Sequence, residues 1–282
     1  MAKSKTAQTG STRPDLATIG GLVLAVGGIL AGLMMEGGKI KDVAQITAAM
    51  IVLGGTIGAV MVTTPIPILL RAAKKMGAVF FAKSKPMAAT VEDIIGYATQ
   101  ARKQGIVSLE QQAGAIADPF LRKALNLAVD GIDLNQIRNI MELEITLVEQ
   151  DGDAEAKVFE SAGGYAPTIG IIGAVLGLIQ VMKNLANIDE VGRGIAVAFV
   201  ATVYGVGSAN LFFLPAAGKL RARTQEEVRR REMMLEGVLS IVEGLNPKLI
   251  STKLEAYVQQ PAAKAASPAK ARAAGAPAPA EG

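Results

Sequence analysis

The sequence predicts an all-α integral membrane protein, and three observations carry that prediction. Apolar residues gather into four uncharged runs, 16–35, 47–70, 163–182 and 194–218, instead of recurring at helical or strand periods. Each run has about 20 or more residues, enough for a helix to cross a hydrocarbon core of roughly 30 Å. Lys and Arg crowd alternate connections. The long polar stretch between the second and third runs shows helical spacing and helix-start signals. The expected architecture is four transmembrane helices in two hairpins, with a helical cytoplasmic domain between the second and third spans and a cytoplasmic extension of the fourth.

Residues 1–15 form a polar N-terminus with Lys3, Lys5 and Arg13, similar to the charged region of a signal peptide. The apolar run that follows exceeds the roughly 7–15 residues of such a peptide, so an uncleaved first helix is expected. Residues 16–70 then form one hairpin, spans 16–35 and 47–70. Beyond it lie Arg71, Lys74, Lys75, Lys83 and Lys85, and beyond the fourth span Lys219, Arg221 and Arg223. The opposing connections hold only Lys39 and Lys41 in one and Arg193 in the other. Positive residues beside spans stay on the cytoplasmic side, which puts both termini and residues 71–162 in the cytoplasm.

Within 71–162, Thr90 with Asp93 and Ser108 with Gln111 have the spacing of helix N-terminal caps, and Gly105 supplies a stop between them. Asp118-Pro119 opens a third helix that Gly131 can close. A longer helix from Asn135 leads into the third span, with a break expected at Gly163 and Gly164. The second hairpin, 163–218, has spans 163–182 and 194–218. Residues 219–258 continue as cytoplasmic helix to Asn246-Pro247, and 259–282 is an Ala/Pro tail whose composition predicts disorder.

The chain has no Cys, His or Trp. Disulfides, thiolate zinc sites, imidazole bases and the usual catalytic triads are therefore excluded, and neither enzymatic activity nor a metal or cofactor is expected. The net charge of +4 is spread without aromatic interleaving, so nucleic acid is not an expected partner. Membrane lipid is.

The spans carry no charged side chain. They cannot relay ions on carboxylates of their own. Gly28 with Gly32, Gly54 with Gly58, and Gly173 with Gly177 have the spacing of closely packed membrane helices. Ala198, Thr202, Gly205 and Ala209 share a narrow arc of the fourth span with one hydroxyl on it. Thr202 either bonds its own backbone carbonyl or faces an ion path. Pro167 and Pro215 each free a carbonyl and allow a bend, which suits either a static kink or a helix that moves.

Tyr165-Ala166-Pro167, the Gly170, Gly173, Gly177 ladder, Thr202-Val203-Tyr204-Gly205, Leu214-Pro215 before Lys219-Leu220, and the segment Arg102 to Glu110 form a specific combination. With the two-hairpin order it resembles the flagellar-motor stator A subunits of the MotA/TolQ/ExbB proton-channel family, over nearly all of residues 16–254. The resemblance implies a homo-oligomer, a pentameric ring, around a dimer of B subunits whose single transmembrane helices each carry an aspartate. Ion passage past that aspartate turns the ring, and the cytoplasmic loops push a rotor switch-complex protein.

The resemblance also assigns roles. Thr202, Ala174, Gly173, Gly177 and Tyr204 belong to the ion path, Pro167 and Pro215 to conformational coupling, and Arg102 and Glu110 to rotor docking. Sodium-driven members typically have threonine where this chain has Ala174, so proton coupling is expected. A Ton- or Tol-type energiser usually has one span before its cytoplasmic domain, against two here. A stator-like module of another machine has the same features at this level. A secondary transporter would show interrupted helices, charged midplane groups and repeats, and none is visible.

Overall fold

The computed structural model describes residues 13–82 and 86–259. Residues 1–12, Lys83, Lys85 and the expected tail from 260 onward lie outside the described residues. Contacts divide the described residues into two compact units, one falling within residues 1–84 and 150–221 and the other within 85–149 and 222–282.

The first unit opens with α1 (Leu16–Met35), whose N-terminus is capped by the Asp15 carboxylate accepting from the Thr18 N–H at 3.2 Å. No residue of α1 is buried. Two short helices, α2 (Ile40–Val43) and α3 (Ile46–Ala49), follow, and α3 continues through a π-helical turn, Met50–Gly54, into α4 (Gly55–Thr63). This second apolar helix was expected to reach residue 70, but it stops at Thr64, which is extended (φ −131°, ψ 130°). Pro65 is the reason: its ring disfavours a helical residue before it, and it has no N–H to continue the ladder. α5 (Ile66–Phe80) starts afresh, and the strands β1 (Arg13–Pro14) and β2 (Phe81–Ala82) pair antiparallel.

α9 (Leu134–Lys183) is a single helix through Gly163, Gly164 and Pro167, so the expected break is absent. Gly163 serves packing instead. A Cβ there would lie 2.6 Å from Leu214 Cδ2. α10 (Ile188–Ser208) begins before its apolar run because Asn187 caps it, accepting from the Asp189 N–H at 3.2 Å, and Asp189 and Glu190 complement the first turn. A π-helical turn, Ala209–Phe213, joins it to α11 (Leu214–Val242). Pro215 offers no N–H to the carbonyl four residues before it, and the widened turn absorbs the mismatch.

The second unit comprises α6 (Met87–Gln104), a 3₁₀ turn (Ile106–Leu109), α7 (Glu110–Ala113), α8 (Pro119–Val129), α12 (Pro247–Gln259) and the parts of α9 and α11 that fall within it. Two expected caps are corrected. α6 starts at Met87 after Pro86, which leaves Thr90 buried inside the helix. Ser108 sits in the 3₁₀ turn with its hydroxyl donating to Gly105 O at 2.7 Å, so it caps nothing. Asp118 does open α8, accepting from the N–H groups of Phe120 and Leu121. Asn246-Pro247 opens α12 as well as following the end of α11. Ile94, Phe120, Leu125, Met141, Met233 and Leu254 are among the residues that fill this unit's core. Arg231 lies 5.1 Å from the centre of the Phe120 ring and also pairs with Glu227 and Glu144. Glu232 is pushed up by burial and then by Glu149, against the pull of Arg229.

Candidate functional site

The apolar parts of α9 and α10 meet along a seam of small residues. A Cβ on Gly177 would lie 2.8 Å from both Ala198 N and Gly194 O, one on Gly170 2.9 Å from Ala201 O, and one on Gly205 2.6 Å from Ala166 O. Gly173 closes on the Ala201 methyl, at 2.7 Å from an added Cβ. At these four positions only glycine lets two helix backbones come this close. Gly173 and Gly177 are therefore buried in a helix–helix contact, and no path opens at them within one chain.

One edge of the seam is covered and the other is not. On the covered edge Ala48 and Val52 of the second span pack with Val200, Ala201 and Tyr204, and Ile51 approaches Gly173. Thr202 follows the seam residue Ala198 by four positions, as Ala174 follows Gly170. At about 100° per residue each is rotated by about 40° in the same sense, which in antiparallel helices places both on the same, uncovered edge. Both are half-buried. Beyond them stand Ile171 and Leu178 of α9 and Phe199 and Val206 of α10, with Phe199 71% exposed. The Thr202 hydroxyl donates to Ala198 O at 3.3 Å, the local bond anticipated for a lone membrane threonine.

Tyr204 has a use that the sequence did not suggest. Its hydroxyl donates to Val43 O at 2.5 Å and accepts from the Gln45 N–H at 3.3 Å. That pins the connection between the first two spans to α10. Pro167 and Pro215 are linked indirectly, since Gly163, whose carbonyl Pro167 leaves without its helical donor, packs on Leu214, the neighbour of Pro215.

Several of the cations that flank the spans are paired with acids. Arg71 meets Asp151 at 2.8 Å, Lys75 meets Glu155 at 2.5 Å, and Arg221 meets Glu160 at 3.0 Å. The Glu155 side chain is only 3% exposed. Sequence inspection missed it, although Arg71 and Lys75 on one helix and Asp151 and Glu155 on another share the four-residue spacing that lets two faces pair. Lys219 contacts Asp15 at 2.6 Å and holds its carboxyl down at about 2, with the Thr18 N–H adding to the effect and desolvation opposing it.

Arg102 and Glu110, in the second unit, are exposed, and neither enters an ion pair among the described residues. No cluster of acids able to hold a metal occurs among the described residues.

Residues 112–233 match the MotA/TolQ/ExbB proton channel family, and residues 19–104 match the family described as Motility protein A N-terminal. Motility protein A of Bacillus subtilis is 37% identical over 254 residues, 86% of this chain and 91% of that one. The chain belongs to the MotA/TolQ/ExbB proton channel family. Within this family it is also similar to chemotaxis protein PomA of Vibrio alginolyticus, 31% identical across 87% of this chain and 96% of that one. The solved MotAB structure of C. jejuni superposes with a TM-score of 0.83 at 32% identity, covering 89% of this chain and 99% of that one. The flagellar MotAB stator complex of Bacillus subtilis gives 0.80 at 34% identity, covering 92% and 99%. The four long apolar helices are those of a multipass member of this membrane family.

Proposed function

We propose that this chain is the A subunit of a flagellar stator, working with a B subunit to convert ion flow into torque on the rotor. The observation that carries the reading is the uncovered edge of the α9–α10 seam. It presents one hydroxyl, Thr202, beside Ala174 and a row of exposed apolar side chains, while no span holds a carboxylate. An ion cannot cross on these groups alone. A partner helix that is apolar except for one aspartate complements this edge, and several copies of the chain, five in the reading taken here, close around two such helices.

In this reading Gly173 and Gly177 serve the path by holding α9 and α10 together, Tyr204 by fixing the connection beside it, and Thr202 by facing the partner's aspartate. Gly163 on Leu214 joins the two proline regions, so Pro167 and Pro215 shift together as the ion passes. Both termini and the second unit are cytoplasmic, where Arg102 and Glu110 meet charges on the rotor; such exposed pairs set capture and register more than strength.

The ion is a proton. A dehydrated sodium ion needs several oxygen ligands, and Ala174 offers a methyl. The driving force is about 2.3 kcal/mol per charge per 100 mV. Co-purification from native membranes should bring down a single-span protein with a membrane aspartate; its absence from a stable complex would sink the reading. Swimming speed should follow the proton motive force and ignore external sodium, whereas speed that rises with sodium would exclude proton coupling.

A further inference from the structure

Three helices of the second unit end at one place. α6, α8 and α11 are each followed by a glycine of positive φ, Gly105 at 81°, Gly131 at 75° and Gly244 at 72°. Each glycine N–H turns back to its own helix, on Ala101 O, Ala128 O and Ile241 O respectively. After two of them the next residue also bonds back, Ile132 N to Leu127 O and Leu245 N to Ser240 O, both at 3.1 Å. This is the glycine-closed helix end in which the following residue is apolar and folds against the helix. Here the three following residues are Ile106, Ile132 and Leu245, all half-buried, and all three line a single cavity of about 350 Å³. Its floor includes the buried Ala98 and Ala128, and at its rim Arg102, Gly131 and Gly244 are exposed.

The chemistry of the cavity selects its occupant. The interior is aliphatic, so it takes an apolar group. The rim carries the carbonyl ends of three helices, which repel an anion placed among them, and one cation, Arg102, at the side. A free small anion or cation is thus poorly matched. A helix that presents a large apolar side chain, with a carboxylate about one turn away to meet Arg102, is well matched. Exposed ion pairs contribute little hold, whereas a desolvated apolar anchor in a pocket supplies most of it at protein interfaces.

We infer that this cavity is the socket for one large aliphatic or aromatic side chain on an exposed helix of the rotor protein, with Arg102 pairing a carboxylate beside it. This rests on the rotor-docking role proposed for Arg102.

The test uses the full-length chain with its B subunit in motile cells, reading the dwell time of fluorescent stators at the motor, with membrane assembly and ion conduction as controls. Ala101→Phe, which fills the cavity, should shorten dwell about tenfold and leave both controls unchanged. Ile132→Ala removes a wall without overpacking the unit and should also shorten dwell. A photo-crosslinker at Ile106 should capture the rotor protein at an apolar position of a surface helix. If Arg102→Glu shortens dwell while both socket variants behave normally, the socket is wrong and charge docking stands. If none of the three changes dwell, the docking reading falls with it. Crosslinking only to residues 260–282 of this chain, or to a second copy of it, overturns the socket as well.

Discussion

Glycines at the same four-residue spacing have opposite surroundings in α1 and in the α9–α10 seam. At Gly28 and Gly32 an added Cβ meets nothing within 4 Å, and α1 buries no residue. At Gly173 and Gly177 the same atom would fall 2.7 Å from the Ala201 methyl and 2.8 Å from Ala198 N, respectively, and at Gly170 and Gly205 it likewise comes within 3 Å of the facing main chain. The spacing alone therefore does not report packing. What separates the cases is whether a second small-residue face lies opposite, and Gly194, Ala198, Ala201 and Gly205 provide one only for α9. α1 is held at its end, through Asp15 and Lys219.

The largest expected effect breaks the seam. Gly205→Ala should cost about 1–3 kcal/mol by overpacking, and Gly205→Leu should prevent assembly in the membrane. Thermal unfolding of the purified chain in detergent measures the first; a melting curve like that of the unaltered protein would show that the seam yields. Next comes Tyr204→Phe, which removes two hydrogen bonds and should cost about 1–2 kcal/mol. Amide exchange at Gln45 should rise while exchange in the seam stays slow.

A smaller effect sharpens the contrast from the side of α1. Asp15→Asn can still cap the helix but loses the ion pair, at a cost of about 1 kcal/mol or less. The folded Asp15 titrates near 2, below its ordinary 3.8, so its contribution is present above the ordinary value and lost as the pH falls through the folded one. The gap between the two melting curves should thus be constant at higher pH and close on acidification toward 2. A gap that persists in acid would assign the effect to packing. Smallest of all, Gly28→Ala and Gly32→Ala should each change stability by no more than about 0.5 kcal/mol. A large loss in the assembled complex, absent from the isolated chain, would mean that a neighbouring chain covers α1.

The four apolar helices and the opening of α8 were legible because length, hydropathy and an Asp-Pro cap act locally. The end of the second span was legible in principle, since Thr64-Pro65 carries its own steric reason to stop. Gly163 and Gly164 misled because a glycine that ends a helix and one that admits a neighbour are the same letter. Only Leu214, far along the chain, decides between them. The π-helical turns at Met50–Gly54 and Ala209–Phe213 have no compositional signature beyond Pro215 near the second. The destination of the Tyr204 hydroxyl depends on residues some 160 positions away. The pairing of Thr202 and Ala174 on one edge could be read only once the seam had shown which faces of the two helices meet.

The backbone-to-backbone character of the seam also bears on its genetics. A substitution at Gly163 or Gly55 collides with a side chain, Leu214 in one case and Ile169 in the other, so a second mutation that trims the partner can restore room. At Gly177 and Gly205 the collision is with peptide atoms that every residue type shares. No second-site change of side chain can make space there, and a selection for suppressors should return the original glycine or changes that move a whole helix.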